Sequence, residues 1–148
     1  MTLPPPIDPS KNPHLTGIFE PIQTQIAVNE LEVVQGAIPP DLDGTYLRNG
    51  PNPRFTPLGA YAYPMEGDGM IHAVELRGGQ ASYRNAYVQT PMLDIEEKAG
   101  HALWPSIMTG AFPGPEDVGK EYAWTIRDMP AINVACHHGT LIALAETT

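Results

Sequence analysis

The residues that could do chemistry are five histidines and one cysteine in a chain of 148 residues. These are His14, His72, His101, His137, His138 and Cys136. Imidazoles and thiolates bind transition metals, but a site needs several of them to converge, with their second nitrogens held by neighbours. We expect His14 and His101 to be exposed. Since neighbouring residues in a strand point to opposite faces, His137 and His138 are poorly placed to share one ion.

His72 stands inside an apolar run in the stretch "MEGDGMIHAVEL", residues 65–76. The alternation of a strand places it on one face with Met70, Val74 and Leu76. This predicts a packed position with a hydrogen-bond partner and not a metal ligand. The alternative is that His72 is the general base of a small all-β enzyme.

Two glycines surround an aspartate just before that strand. Gly67 and Gly69 predict a tight turn, and Asp68 is expected to cap it through its side chain.

The chain predicts short strands joined by turns, as its 14 glycines and 17 prolines favour. "GTYLR" predicts a strand and "NGPNP" after it a turn. "MIHAVEL" and "ASYRNAYVQT" predict a hairpin turning at "RGGQ". "INVACHHGTLIALAE" predicts a second hairpin, with its turn at His138 and Gly139.

Between the hairpins the period of two is lost. Leu93, Glu96 and Glu97 suit a short helix that ends at Gly100, and "AFPGPEDVGKEY" predicts a loop. Residues 1–40 are rich in proline, which lacks the N–H and fixes φ. We expect them to form an extended arm over the body, with a brief strand in "LEVVQG".

Composition excludes several function classes. A net charge of −9 with only 8 lysines and arginines argues against a nucleic-acid partner. A single cysteine, Cys136, rules out an internal disulfide and is expected to be a buried thiol in a strand. No apolar run approaches the ~20 residues of a transmembrane helix. No secretory signal is visible, so we expect a cytoplasmic protein.

Three blocks together resemble the carotenoid cleavage oxygenases, which include apocarotenoid and lignostilbene dioxygenases. They are "LDGTYLRNGPNPRF", "EGDGMIHAVELRGGQASYRN" and "AINVACHHGTLIALAE". The chain departs from the family pattern where Met65 and Glu66 replace Phe-Asp. Ala86 and Gln89 also replace basic residues of that pattern.

The resemblance implies an all-β fold: the first blades of a seven-bladed β-propeller over residues 41–148, after the arm of residues 1–40, with a short helical insertion. It also implies Fe(II) held by four histidines, and O2 cleaving a C=C bond of a carotenoid, apocarotenoid or stilbene in an apolar tunnel. No histidine here matches a ligand position, so the resemblance implies no catalytic residue, no cofactor-binding residue and no metal ligand in this chain. We therefore expect an N-terminal fragment that binds no iron and is inactive alone.

The stretch "ALWPSIMTGAF" is notably apolar. Trp104, Ile107, Met108 and Phe112 belong either to the tunnel mouth, to a surface in peripheral contact with a membrane, or to a helix packed on the sheet. The rival interpretation of the whole chain is a non-enzymatic propeller remnant that binds an apolar ligand or a protein partner.

Overall fold

A four-stranded antiparallel sheet forms the body of the protein. The computed structural model describes residues 2–145, and the strand order in this sheet is β1-β4-β3-β2. A separate two-stranded sheet pairs β5 with β6. The strands are β1 (Ala27–Val28), β2 (Gly44–Pro51), β3 (Gly69–Arg77), β4 (Gln80–Tyr87), β5 (Asn133–His137) and β6 (Thr140–Leu144). Within the described residues both sheets are open, so closure into a propeller stays a prediction.

The helices are short. They are α1 (Pro91–Ala99) and α2 (Pro115–Val118), with single 3-10 turns at Pro9–Lys11, Gly17–Phe19, Pro64–Glu66 and Ile107–Thr109. In residues 2–145, none of these helices has the length and apolar character needed to cross a bilayer.

Both predicted hairpins are confirmed. β3 and β4 pair in register from Met70 opposite Tyr87 to Arg77 opposite Gln80. Gly78 and Gly79 make the turn with φ of 57° and 81°, the left-handed conformations that a tight hairpin turn requires. β5 and β6 pair around a turn at His138 and Gly139.

The predicted turn at "NGPNP" is wrong in its first half, because β2 continues through Pro51. Pro51 is tolerated because β2 is an edge strand of the sheet. On the same strand, Asn49 Nδ2 donates to the carbonyls of Pro130 at 2.7 Å and Asn133 at 2.9 Å. This side chain thereby ties the large sheet to the start of the small one.

The strand predicted in "LEVVQG" is also wrong. Only Leu31 reaches the sheet, through its N–H to the carbonyl of Ala81 at 2.8 Å. The strand of this region is β1, four residues earlier, while Val34 is 89% exposed. An apolar, β-branched run without a sheet edge beside it gains nothing from extension.

The predicted short helix ending at Gly100 is confirmed as α1. Thr90 caps the start by accepting from Leu93 N at 3.1 Å, and Gly100 ends the helix with φ of 77°. Its buried residues are Met92, Leu93 and Glu96. The predicted loop that follows contains α2, whose Asp117 carboxylate accepts from Gly114 N at 2.9 Å.

Asparagine side chains hold residues 22–26 against the sheet. The Asn52 amide accepts from Ile22 N at 2.7 Å and donates to Ile22 O at 2.8 Å, as a paired strand would. Asn85 Oδ1 accepts from Ile26 N at 2.7 Å. These amides satisfy backbone groups that the two-residue strand β1 leaves unpaired.

We expect Asn52→Ala to lower the free energy of unfolding by about 2 kcal/mol, because it leaves the Ile22 N–H unpaired and removes the amide donor to the buried Tyr87 hydroxyl. Urea denaturation followed by circular dichroism measures this loss. Cleavage after Glu20 by a glutamate-specific protease should speed up in the same variant. Asn133→Ala is the control, since that exposed amide accepts only from the neighbouring Val134 N. Equal effects in both variants would contradict the role given to Asn52.

Candidate functional site

Two buried carboxylates share one arginine in a cluster of three side chains, which we call the ion cluster: Asp68, Glu96 and Arg127. Arg127 Nη2 contacts Asp68 Oδ1 and lies 2.7 Å from Glu96 Oε2. Glu96 is fully buried and Asp68 is 4% exposed. Charges removed from water need close partners, so these three side chains depend on one another.

Backbone N–H groups complete the cluster. Asp68 Oδ2 accepts from Arg54 N at 2.8 Å. Glu96 Oε1 accepts from Leu103 N at 2.7 Å and Trp104 N at 3.2 Å. Burial raises the pKa of Glu96, while the Arg127 guanidinium and these two donors oppose that rise.

The cluster connects three separate segments. Asp68 directly precedes β3, Glu96 lies on α1, and Arg127 belongs to the loop before β5. The cluster therefore fixes how the helix and this loop sit against the large sheet.

The prediction that Asp68 caps its own turn is wrong. Its carboxylate instead accepts from the backbone N–H of Arg54 and contacts the Arg127 guanidinium. The glycines beside it are also explained differently. Gly67 has φ of −78°, an ordinary value, but a Cβ there would lie 2.8 Å from Asn52 N. A Cβ on Gly69 would collide with the carbonyl oxygen of Pro130. Close approach of other backbone, not turn geometry, requires both glycines.

Sequence reasoning missed Glu96 and Arg127 as a pair. A signal existed for Glu96, since the helical period places it on one face of α1 with Met92 and Leu93. A charged residue on an apolar helix face indicates a buried partner. Arg127 stands in a loop without periodicity, so nothing in the sequence points to its burial.

His72 is half-buried, and its Nδ1 lies 2.8 Å from the Tyr83 hydroxyl. The predicted hydrogen-bond partner is thus present, although the position is less buried than a core residue. Burial, with a contribution from Arg48, lowers the pKa of His72. His14, expected to be exposed, is half-buried and lines the same cavity as His72 and Arg48, about 280 Å³ in volume. His14 and His72 thus line one cavity, although they are 58 positions apart in the sequence.

The other candidates lie apart from this cavity. His101 is exposed, as expected. His138 is in the turn with φ of 46°, so its ring meets His137 edge-on at 4.2 Å between centroids, and the two do not alternate across a strand. Cys136 is exposed, contrary to the buried thiol predicted, because nothing among residues 2–145 covers this face of the two-stranded sheet.

The histidines do not assemble a metal centre. All five are among the described residues, and in that part of the chain no three His, Cys, Asp or Glu side chains are placed to hold one ion. The residues present therefore do not fit the four-histidine iron site that the resemblance implies.

The apolar stretch divides between core and surface. Trp104 is 3% exposed and packs with Met92, Leu103 and Val118. Phe112 is half-buried, whereas Ile107 and Met108 are 43% and 67% exposed. Packing explains Trp104, and the two exposed side chains are free to meet a ligand or a surface.

The fold and the site together define a β-sheet scaffold organised around a buried ion cluster. Comparison with known proteins gives the family. Residues 19–148 match the family described as retinal pigment epithelial membrane protein. The chain belongs to this family, whose matching members carry names such as carotenoid cleavage oxygenase and lignostilbene dioxygenase.

Individual relatives agree with this assignment. The chain is 37% identical over 138 residues to a carotenoid cleavage oxygenase of Mycobacterium tuberculosis, which covers 93% of this chain and 25% of that protein. The crystal structure of Pseudomonas brassicacearum lignostilbene dioxygenase matches with a TM-score of 0.77 and 25% identity, over 98% of this chain and 28% of that one. A cobalt-substituted Synechocystis ACO matches with a TM-score of 0.62 and 28% identity, over 86% and 26%. The chain spans about a quarter of the length of these relatives.

We expect Arg127→Met to lower the free energy of unfolding by about 3–5 kcal/mol at pH 7, because it leaves two buried carboxylates unpaired. Part of the loss should return at pH 5, where Glu96 takes up a proton more readily. Urea denaturation at both pH values measures this. The control is Arg84→Met, since Arg84 is 68% exposed and lies 3.6 Å from Glu75, a pair worth less than about 1 kcal/mol. Similar losses of stability in both variants would contradict the role that we give to Arg127 in the ion cluster.

We expect His72 to titrate below its ordinary pKa of 6.5 in an NMR titration of the ring protons. Because the unfolded chain then binds the proton more tightly, stability should fall as the pH drops below about 6.5 toward the folded-state pKa. His72→Gln should remove this slope, while His101→Gln should not. A His72→Gln variant that loses an activity without any change in stability would instead favour the general-base role.

Proposed function

We propose that this chain is part of an enzyme that cleaves a C=C bond of a carotenoid, apocarotenoid or stilbene with O2. In that reaction the double bond and O2 are consumed, and each carbon ends as a carbonyl with one oxygen atom. The observation that supports this most directly is the match of 98% of the chain to a lignostilbene dioxygenase. The carotenoid cleavage oxygenase relative extends the substrate class to polyenes.

The proposed cofactor of the complete enzyme is Fe(II), which would activate O2 beside the substrate. We assign no iron ligand to this chain, since its histidines do not converge. The chain's own contribution is the scaffold. The ion cluster and the Asn49 contacts fix the large sheet, α1 and the loop before β5 relative to one another, and a rigid support is what precise substrate orientation requires.

The exposed apolar side chains are the proposed contact with the substrate or its source. Ile107 and Met108 follow the buried Trp104, and Trp124 is 56% exposed. An apolar polyene partitions into membranes, so these side chains would suit a substrate entrance that also touches a membrane surface peripherally.

A segment exchange tests the proposed activity. The 138 matching residues of the Mycobacterium tuberculosis relative would be replaced by those of this chain, and cleavage of that enzyme's substrate followed by product analysis. We expect the chimera to bind metal and to cleave. A chimera that folds and binds metal but does not cleave would contradict the proposal, and would favour the non-enzymatic remnant.

The isolated chain provides the complementary measurement. We expect the purified 148-residue protein to carry well under one iron per chain by elemental analysis, and to cleave neither an apocarotenal nor a lignostilbene. One tightly bound iron per chain together with cleavage would show that the ligand assignment is wrong. The matched control is the chimera, purified and analysed for iron and cleavage in the same way.

A further inference from the structure

A narrow cavity of about 20 Å³ lies beside the ion cluster. Its polar lining includes Glu66, Trp104 and Arg127. A cavity of this size has room for one water molecule and for no larger ligand. The cavity is lined both by Glu66, in the turn at Pro64–Glu66, and by Trp104, in the segment that follows α1.

Two buried polar atoms on this cavity's lining residues have no partner among residues 2–145. Glu66 is 7% exposed, and its Oε2 accepts from Ile107 N at 3.2 Å, but its Oε1 is unpaired. Trp104 is 3% exposed, and its indole Nε1 is also unpaired. Buried polar groups are rarely left unpaired, because they lose their hydrogen bonds to water on folding.

The neighbouring groups do not supply the missing partners. The Tyr61 hydroxyl donates to the carbonyl of Pro64 at 2.7 Å. Burial and the carboxylates of Glu66 and Asp68 raise the pKa of Tyr61, so this hydroxyl keeps its proton. Arg127 contacts the two cluster carboxylates through Nη2, and among residues 2–145 it forms no ion pair with Glu66.

We propose that this cavity is a binding site for one structural water, which accepts from Trp104 Nε1 and donates to Glu66 Oε1. One acceptor and one N–H donor are the complement that a water molecule satisfies simultaneously. A metal cation would be repelled by the indole N–H and the nearby guanidinium, and an apolar ligand would leave both atoms unpaired. The water joins the turn at residues 64–66 to the buried Trp104.

NMR of the full chain labelled with 15N-tryptophan tests the site. The protein has two tryptophans, so its spectrum shows two indole N–H signals, and Trp124→Phe identifies that of Trp104. We expect the Trp104 signal to show a dipolar cross-peak at the water frequency with the sign of a long-lived contact. The rotating-frame experiment separates this peak from chemical exchange by its opposite sign. The exposed Trp124 is the internal control and should show no long-lived contact.

Variants of Glu66 test the second partner. Glu66→Gln keeps a carbonyl acceptor and should retain the cross-peak, whereas Glu66→Leu should lose it. Absence of the peak in the wild-type chain, or its persistence in a folded Glu66→Leu variant, would overturn the proposal. The wild-type spectrum decides the question even if the leucine variant does not fold.

Discussion

One guanidinium shared by two buried carboxylates is the constraint on which the rest of the structure depends. Arg127 neutralises one of the charges of Asp68 and Glu96, and backbone N–H groups must support the remainder. These donors come from Arg54, Leu103 and Trp104. The backbone positions of Arg54 and of Leu103 and Trp104 are therefore fixed by their hydrogen bonds to the cluster. Such buried pairs contribute little net stability over an apolar core, but removing one partner is costly, so they select one arrangement of the chain.

The close backbone contact at Gly69 works together with this electrostatic constraint. The Pro130 carbonyl approaches so near that even a methyl group at residue 69 would collide with it. The same carbonyl accepts from Asn49 Nδ2. Three residues after Arg127, the loop is thus held by a steric fit and a hydrogen bond as well as by an ion pair. Together these contacts carry the chain from the large sheet into β5.

The parts that could be predicted from the sequence are those with local causes. The β3–β4 hairpin follows from alternation and from Gly78 and Gly79, and α1 follows from its caps at Thr90 and Gly100. What could not be predicted depends on distant partners. β2 runs through Pro51 with the help of a contact 84 residues away, from Asn49 to Asn133. The burial of Arg127 depends on Asp68, 59 residues earlier. The family resemblance rests on residue blocks and reveals neither contact.

The Asn85 contact to Ile26 has a consequence for how the chain is made. These residues are 59 positions apart, so at about 5–20 residues per second the ribosome releases the partner of Ile26 roughly 3–12 seconds after Ile26 itself. During that interval the segment around Ile22, Ile26 and Val28 has no edge strand to join, and its unpaired backbone is open to other chains. The prolines on either side suit this delay, because they disfavour premature strand pairing during synthesis.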